Sequence, residues 1–254
     1  MKAGIIGNTQ LTYNTIKFLL QKDCKIEYVF GLPDDKLKNK VNAYDLKSFC
    51  AEHEILYLND NNWESIMDKN VDIVYEMGDS RIVPKSFLQR HRVIGNHGAL
   101  LPYVQGAASL VWGRMLNNGQ WGVSLMELNE EIDGGEILIT REIFYEKNIT
   151  TMKEFVEMCD NATIQCVKEY FEGNIIHKQN KPWQVKIAKN VDSSKVVDIL
   201  RLCLEKRVPV YLPTRRPKDG EINHEWETEF IEVFKISNDS PYPKAFSRKD
   251  EKCC

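Results

Sequence analysis

The first hundred residues alternate between short apolar runs and stretches with helical periodicity, and this alternation restricts the fold more than any other feature. Strands are predicted at 2–7, 25–31, 55–58, 71–77 and 92–96, and helical segments at 11–21, 44–52, 62–68 and 84–89. The run VDIVYEM is rich in β-branched and aromatic residues, which is typical of a buried strand. Strands that alternate with helices form a parallel sheet covered on both faces. The sequence therefore predicts an α/β fold with a Rossmann-like, mostly parallel sheet flanked by helices.

The order of elements changes after this region. The predicted elements are a helix at 107–117, two strands at 121–128 and 136–144, and a long amphipathic helix at 151–172. From residue 174 onward the chain is strand-like and irregular, with one helix predicted at 194–205. We therefore expect a main domain over residues 1–173 and a small C-terminal α/β appendage over residues 174–254.

Composition excludes several classes of protein. A hydrophobic fraction of 43% with 28% charged residues is ordinary for a globular chain. The 34 Lys and Arg against 37 Asp and Glu leave a net charge of −3, which disfavours a nucleic acid or an anionic membrane as partner. The opening MKAGIIGN turns polar too early for a signal peptide, and no apolar run reaches spanning length. We expect a soluble, cytoplasmic protein.

Seven cysteines are scattered along the chain without a Cys-x-x-Cys pair. This spacing argues against a zinc site or a redox motif. In a reducing compartment they are expected to be free thiols that fill the core.

The turn after the first predicted strand is a candidate ligand contact. Gly4 and Gly7 are followed by Asn8 and a polar stretch through Gln10, which does not form the G-x-G-x-x-G dinucleotide motif. Open α/β sheets nevertheless bind ligands at the carboxyl ends of their strands. Asn8 and Gln10 are therefore candidates for substrate binding, and a plain strand–helix turn is an equally good interpretation.

Two residues further along carry acid–base chemistry. His97 ends a predicted strand, and Asp133 precedes Gly134 and Gly135 in a polar loop between two strands. A single histidine on a strand is usually structural, and an aspartate before glycine is usually a turn former. A catalytic His–Asp pair is the alternative, and the spacing alone leaves both interpretations open.

Ordered motifs between residues 78 and 139 bear on that choice. GNHGALLP at 95–102 is similar to Asn-x-His-x-Ser-Leu-Leu-Pro, and IDGGEI at 132–137 is similar to Asp-x-Gly-x-Ile. RIVP at 81–84 and GVS at 122–124 stand where related chains have an Ile/Leu-Leu-Pro-like element and Gly-Val-Thr. With these motifs in this order, the chain resembles the folate-dependent formyltransferases. That family includes the glycinamide ribonucleotide, methionyl-tRNA and nucleotide-sugar N-formyltransferases.

The resemblance implies a mechanism. His97 corresponds to the family's catalytic histidine and Asp133 to its catalytic aspartate. An amine attacks the formyl carbon of 10-formyltetrahydrofolate, and a histidine at that carbon stabilises the negative oxygen that develops. An aspartate beside it holds the imidazole and assists proton transfer. No metal is implied.

Two departures from the family pattern concern the same site. The family asparagine, two residues before the histidine, is Gly95 here, while Asn96 directly precedes His97. Side chains alternate along a strand, so Asn96 is expected to point away from His97 unless a bulge rotates it. Asn96 is retained as a candidate catalytic residue, and a structural role is equally open. Met126 stands where many relatives have a histidine after the Gly-Val-Thr strand.

The folate pocket implied by the resemblance comprises two loops. One consists of the backbone of Arg81, Ile82 and Val83, and the other runs from 128 to 133 with Leu128 and Glu130. Ile82 and Val83 could equally be core residues at a strand end. The tryptophans at 63, 121 and 183 are expected to pack in the core.

The remaining choice is the amine that accepts the formyl group. Methionyl-tRNA formyltransferases carry a longer, basic C-terminal domain, and the glycinamide ribonucleotide enzymes need a phosphate-binding glycine loop near the first strand. The resemblance therefore favours a nucleotide-linked amino sugar, with candidate contacts at Tyr103 and Gln105, and it implies a homodimer. Formylation of another amine, such as an aminoacyl group or glycinamide ribonucleotide, is the first alternative. A catalytically weak folate or nucleotide-sugar binding protein is the second, because of Gly95.

Overall fold

A computed structural model describes residues 1–38, 40 and 42–247. The strands are β1 Lys2–Ile6, β2 Lys25–Phe30, β3 Leu56–Leu58, β4 Ile73–Glu76, β5 Val93–His97, β6 Val104–Gly106, β7 Gln120–Glu127, β8 Glu136–Phe144, β9 Val185–Lys186 and β10 Val210–Leu212. The helices are α1 Gln10–Gln21, α2 Asp34–Leu37, α3 Lys47–Glu52, α4 Glu64–Met67, α5 Lys85–Leu88, α6 Ser109–Leu116, α7 Met152–Phe171, α8 Ser193–Glu205 and α9 Thr228–Ser237. A 3₁₀ turn covers Pro217–Gly220.

Seven strands form one sheet in the order β3-β2-β1-β4-β5-β7-β8. The pairs β2–β3, β1–β2, β1–β4 and β4–β5 are parallel. The helical connections α1 and α5 each lead from one of these strands to the next along the chain. The predicted Rossmann-like, mostly parallel sheet flanked by helices is therefore confirmed.

The chain divides into two compact units that interleave along the sequence. The first unit comprises Met1–Asn96, Ser124–Ile139 and Thr163–Gln179, and the second unit comprises the rest of the described chain. Each unit thus collects segments that are distant in sequence. The domain boundary predicted after residue 173 stays a prediction.

The core of the first unit lies against the central strands. Its buried cluster comprises Ile6, Tyr28, Phe30, Ile66, Met67, Val74, Phe87 and Val93. Helix α1 begins at a capping box in which Thr9 and Thr12 exchange side-chain and backbone hydrogen bonds. Such a box satisfies backbone N–H groups that a helix start otherwise leaves unpaired. The cap fixes the turn between β1 and α1, which is the candidate ligand loop.

The second unit contains elements that the sequence patterns did not predict. Strands β6, β10 and β9 form a separate parallel sheet in that order, and α9 follows close to the C-terminal end of the described residues. The sequence predicts a strand-like, irregular tail with one helix, so β9, β10 and α8 agree with that prediction and α9 does not. Strands of two or three residues are too short to show periodicity, and α9 buries only a short apolar stretch that includes Val233 and Phe234.

The expectation for the tryptophans is confirmed in two cases and wrong in the third. Trp121 is buried, and Trp63 packs against the core cluster of the first unit. Trp183 is 43% exposed and packs edge-on against Tyr211. It lies just before β9, and so short a strand offers too little surface to cover an indole ring.

The described cysteines, at positions 24, 50, 159, 166 and 203, are all buried thiols, and none of them forms a disulfide with another described cysteine, as predicted. Cys253 and Cys254 lie outside the described residues. Within the described part of the chain, every helix is too short or too polar to cross a membrane.

Candidate active site

The loop after β4 is held by a buried ion pair. The Asp79 carboxylate has no exposed side-chain surface and accepts hydrogen bonds from Arg81 Nε at 3.2 Å and Nη2 at 2.8 Å. Burial alone would raise the pKa of Asp79, but the hydrogen bonds and charge of Arg81 outweigh it and lower the pKa below its ordinary value. Arg81 also donates to the backbone carbonyls of Phe30 at 3.0 Å and Gly31 at 3.1 Å. The side chain of Arg81 therefore ties the loop after β4 to the carboxyl end of β2.

The two loops predicted to bind folate expose apolar side chains. Ile82 is 75% exposed and Ile132 is 57% exposed, while Val83 and Leu128 pack against the core cluster. The alternative in which Ile82 is a core residue is therefore wrong, because the loop turns its side chain outward. For Val83 the core contact is confirmed. Exposed isoleucines on adjoining loops are unusual unless they cover a ligand or a partner.

An ion pair connects these loops within the first unit. Lys85 Nζ lies 2.8 Å from Glu130 Oε2, and both side chains are more than half exposed. Glu130, a predicted folate contact, therefore faces solvent in this structure. Its contact with folate stays a prediction.

Asp133 lies in a tight turn. Its backbone φ is +51°, in the left-handed region that aspartate tolerates better than most residues. The Gly134 N–H donates to the Glu131 carbonyl at 3.1 Å, which closes the turn. A Cβ atom on Gly135 would lie 1.8 Å from the Glu127 carbonyl oxygen, so only glycine fits there. The Asp-Gly-Gly sequence thus presents the half-buried Asp133 on a defined backbone.

Strands β4 and β5 end side by side, with Glu76 opposite Gly95. Asn96 follows Gly95, and its Oδ1 accepts a hydrogen bond from the Gly78 N–H at 2.9 Å. Asn96 thereby fixes the turn after β4, which is the structural role considered for it. A catalytic role for Asn96 stays a prediction.

Sequence reasoning missed Glu76. Its side chain is 7% exposed, and the Oε1 atom has no hydrogen-bond partner in the described part of the chain. Burial, reinforced by the charge of Asp79, raises the pKa of Glu76 well above its ordinary value. The only sequence signal was an acidic residue inside an otherwise apolar strand.

The turn after β1 holds the two polar candidates. Asn8 is fully buried; its Nδ2 donates to Tyr57 Oη at 2.9 Å and its Oδ1 accepts from the Leu32 N–H. Gln10 is exposed and donates from Nε2 to Asn14 Oδ1 at 3.1 Å. The buried amide of Asn8 serves the turn after β2, and Gln10 remains accessible. Their contacts with substrate stay predictions.

The other candidates belong to the second unit. His97 is 6% exposed, and its Nε2 donates to the Val104 carbonyl at 3.0 Å. Gln105 is buried and donates from Nε2 to the Lys181 carbonyl at 2.6 Å, and Tyr103 is half-buried. The Val104 carbonyl therefore orients the His97 imidazole. Of the two substrate candidates, Tyr103 directly precedes β6 and Gln105 lies within it.

Metal ligation was not predicted. Across residues 1–38, 40 and 42–247, no group of three or more His, Cys, Asp or Glu side chains could hold a metal ion. The site is therefore described by its organic side chains alone.

A scan against known families matches the chain to the formyl transferase family over residues 19–167, which is more than half of its length. The chain therefore belongs to the formyl transferase family. The matched region includes β5, both predicted folate loops and the turn at Asp133. The predicted family and the predicted class of enzyme are confirmed at this level.

Curated relatives carry the name methionyl-tRNA formyltransferase. The protein of Prochlorococcus marinus (strain MIT 9515) is 23% identical over 75% of this chain and 65% of its own length. That of Thermodesulfovibrio yellowstonii is 24% identical over 99% of this chain and 79% of its own length. The chain thus spans just under two thirds of one relative and about four fifths of the other.

Solved structures share the fold at lower identity. A sugar N-formyltransferase from Shewanella sp. FDAARGOS_354 superposes with a TM-score of 0.69 at 14% identity, covering 98% of this chain and 94% of that one. WlaRD, a sugar 3N-formyltransferase solved with dTDP and 5-N-formyl-THF, superposes with a TM-score of 0.64 at 15% identity, covering 93% and 78%. Both likenesses support the α/β fold described above.

Proposed function

We propose that this protein transfers a formyl group from 10-formyltetrahydrofolate to the amine of a nucleotide-linked amino sugar. The observation that carries the proposal is membership of the formyl transferase family, with the motifs at 95–102 and 132–137 within the matched region. A homodimer in the cytoplasm is part of the same proposal, as the resemblance implies.

The two loops of the first unit are suited to the folate. Ile82 and Ile132 offer exposed apolar surface for a flat ring system, since burying such side chains against a ligand is favourable. The folate, when bound, supplies an electrophilic formyl carbon. The buried Asp79–Arg81 pair keeps the first loop in place, so its backbone N–H and C=O groups can pair with ring nitrogens and oxygens.

His97 is proposed to stabilise negative charge on the formyl oxygen during attack by the amine. The Val104 carbonyl orients the ring through Nε2, so little reorganisation is needed. The low exposure of His97 strengthens any hydrogen bond that it donates, because little water competes.

Asp133 is proposed to accept the proton that the attacking amine releases. Its carboxylate is carried on a turn closed by Gly134 and Gly135, which limits its motion. A strained left-handed backbone at a polar residue is often associated with function.

Two observations support an amino sugar as the substrate, and one supports methionyl-tRNA. The Shewanella sugar N-formyltransferase and this chain cover each other almost completely, and the net charge of −3 offers little attraction for a tRNA backbone. The specific observation that favours the second candidate, methionyl-tRNA, is the relative that aligns over 99% of this chain. An amino sugar is the proposed substrate and methionyl-tRNA the alternative.

A direct assay tests the proposal. The protein is mixed with 10-formyltetrahydrofolate and either a panel of amino-sugar nucleotides or methionyl-tRNA, and release of tetrahydrofolate is followed. We expect turnover with one amino-sugar nucleotide, and a loss of about 10³-fold or more in His97→Asn and Asp133→Asn. Gln10→Ala, which changes an exposed amide, should keep most of the turnover number while altering KM for the sugar.

Three results would contradict this proposal in different ways. Turnover with methionyl-tRNA alone would select the alternative substrate. Unchanged turnover in both variants would remove His97 and Asp133 from the mechanism. Folate that copurifies without turnover on any amine would favour a binding protein.

A further inference from the structure

Glu76 is a buried acid at the edge of the sheet where open α/β folds bind their ligands. It is the last residue of β4, one of the central strands, and only 7% of its surface is exposed. One carboxyl oxygen, Oε1, lacks a hydrogen-bond partner in the described part of the chain. A buried polar atom without a partner is costly, so one at an edge where the fold binds ligands calls for an explanation such as a catalytic role or a bound water or ion.

The residue opposite Glu76 has no side chain. Gly95 of β5 pairs with Glu76, and a Cβ atom placed on Gly95 would lie 3.2 Å from Glu76 Oε2. The same Cβ would lie 2.7 Å from Leu128 Cδ2, at the start of the second predicted folate loop. The carboxyl of Glu76 and the side chain of Leu128 therefore occupy the space that a side chain at position 95 would need.

The charged groups around Glu76 favour its neutral form. Asp79, three residues later, bears a negative charge that Arg81 stabilises, and the Asp79 backbone N–H donates to the Glu76 carboxyl. Lys40 and Arg81 are the cations near enough to act on Glu76, and they offset burial and Asp79 only in part. The pKa of Glu76 consequently lies well above its ordinary value, which favours the protonated form.

A protonated carboxylic acid has one donor and one acceptor on a planar group, as a carboxamide does. An acid kept neutral by its surroundings can donate a hydrogen bond to an oxygen on which negative charge develops. The resemblance noted above expects an asparagine at position 95, where this chain has glycine. Glu76 supplies equivalent hydrogen-bonding groups from the neighbouring strand.

We propose that Glu76 is a catalytic residue whose carboxyl group donates a hydrogen bond to the formyl oxygen of the folate, in place of the asparagine that the resemblance expects at position 95. The inference rests on the proposed function. It requires no proton transfer, because Glu76 keeps its proton and only polarises the formyl group.

The first experiment compares Glu76→Gln and Glu76→Ala in formyl transfer, with the exposed Glu52→Gln as a matched control. Glutamine keeps a donor in nearly the same shape, so we expect kcat within about 5-fold of the wild type. Alanine removes the donor and should lower kcat by about 100-fold or more, as loss of one oxyanion donor does elsewhere. Glu52→Gln should change nothing.

The dependence of rate on pH separates this role from a merely structural one. Wild-type kcat should fall at alkaline pH as Glu76 ionises, since a carboxylate cannot donate. Glu76→Gln should lack that alkaline decrease, because its amide does not titrate. Full activity in Glu76→Ala, equal losses in the Gln and Ala variants, or an alkaline decrease that persists unchanged in Glu76→Gln would each overturn the proposal.

Ligand binding keeps the inference testable if the proposed function fails. The probes are 10-formylfolate and folate, which differ only in the formyl group. The wild type and Glu76→Gln should bind the formylated ligand more tightly by about 10-fold, whereas Glu76→Ala should lose that preference. Equal preference in all three proteins would overturn the role of Glu76 even if formyl transfer to some amine is established. If Glu76→Ala loses the preference for 10-formylfolate while the wild type formylates no amine, the result would support the role of Glu76 and refute the proposed function.

Discussion

Glu76 in the first unit is a buried ionisable residue and Arg215 in the second is a half-buried one, and the two differ in their partners. Arg215 donates to Ser193 Oγ at 3.2 Å, to the Asp219 carbonyl at 2.7 Å and to Asn238 Oδ1 at 2.8 Å. Glu76 leaves Oε1 without a partner in the described residues. The hydrogen-bonded arrangement of Arg215 is suited to stability, and the incompletely bonded carboxyl of Glu76 is suited to binding.

The aromatic surroundings of Arg215 strengthen this contrast. Its guanidinium lies 4.7 Å from the ring centre of Trp112 and 5.5 Å from that of Phe234. Burial lowers the pKa of Arg215 to about 10, so the group stays charged at neutral pH. A half-buried charge that makes three hydrogen bonds and packs against two aromatic rings acts as part of the packed structure.

The difference teaches that burial alone does not indicate function. A buried ionisable group becomes a functional candidate when it keeps unused hydrogen-bonding capacity and lies where the fold binds ligands. Glu76 meets both conditions. Arg215 is instead held by three hydrogen bonds to its neighbours, although it borders a cavity of about 540 Å³ in the second unit.

Among the variants that test this comparison, Arg215→Ala is expected to change the free energy of unfolding most. Removing the guanidinium breaks three hydrogen bonds and uncovers two aromatic rings, which should lower the free energy of unfolding by about 3 kcal/mol. Urea unfolding measures it, and the folded fraction should keep its kcat. Arg201→Ala is the control, since Arg201 is exposed and pairs with Asp198 three residues before it. Equal stability of Arg215→Ala and the control would contradict the structural role of Arg215.

A smaller and pH-dependent effect is expected from Asp160→Asn. Burial, with the charge of Glu157, raises the pKa of Asp160 from 3.8 to about 7. The folded state therefore holds this proton more tightly than the unfolded state, and the stability it contributes is lost as pH rises from about 4 through 7. At about pH 8.5 the asparagine variant should be more stable than the wild type by on the order of 2 kcal/mol.

The control for this prediction is Asp198→Asn, whose side chain is 72% exposed. In urea unfolding at about pH 5 and about pH 8.5, the stability difference from the wild type should change with pH for Asp160→Asn and stay constant for Asp198→Asn. A wild type that is stabilised relative to Asp160→Asn at the higher pH would show that the buried carboxylate finds a favourable partner there.

The smallest effect is expected at the exposed pair Lys85–Glu130. Both side chains are more than half exposed, so Lys85→Ala should change the free energy of unfolding by less than about 0.5 kcal/mol. The measurement is thermal or urea unfolding at low and high salt, with Lys153→Ala, an exposed lysine of α7, as control. If Lys85→Ala lowered the free energy of unfolding as much as Arg215→Ala, hydrogen-bond partners rather than burial would determine the stability of these variants.

Much of the fold and part of the candidate site could be predicted before the structure was known. Strand β4 and helix α1 follow from local periodicity, because burial on one face imposes a regular spacing of apolar residues. His97 and Asp133 were identified by motifs in a short stretch of sequence. Helix α9 was missed because its ten residues show only a weak apolar periodicity. Packing of Val233 and Phe234 in the second unit stabilises the helix, and the local sequence does not reveal that packing.

The exposure of Ile82 was equally beyond prediction, since an isoleucine beside a strand fits a core as well as a loop. The amino-acid sequence by itself determined the alternation of strands and helices, the membership of the formyl transferase family and the two candidate catalytic residues, because each depends on local order. Only the tertiary structure decided that Glu76 faces a glycine across the sheet and keeps one oxygen without a hydrogen-bond partner among the described residues. Glu76 and Gly95 are far apart in the chain, and no local pattern records what lies opposite a residue on the next strand.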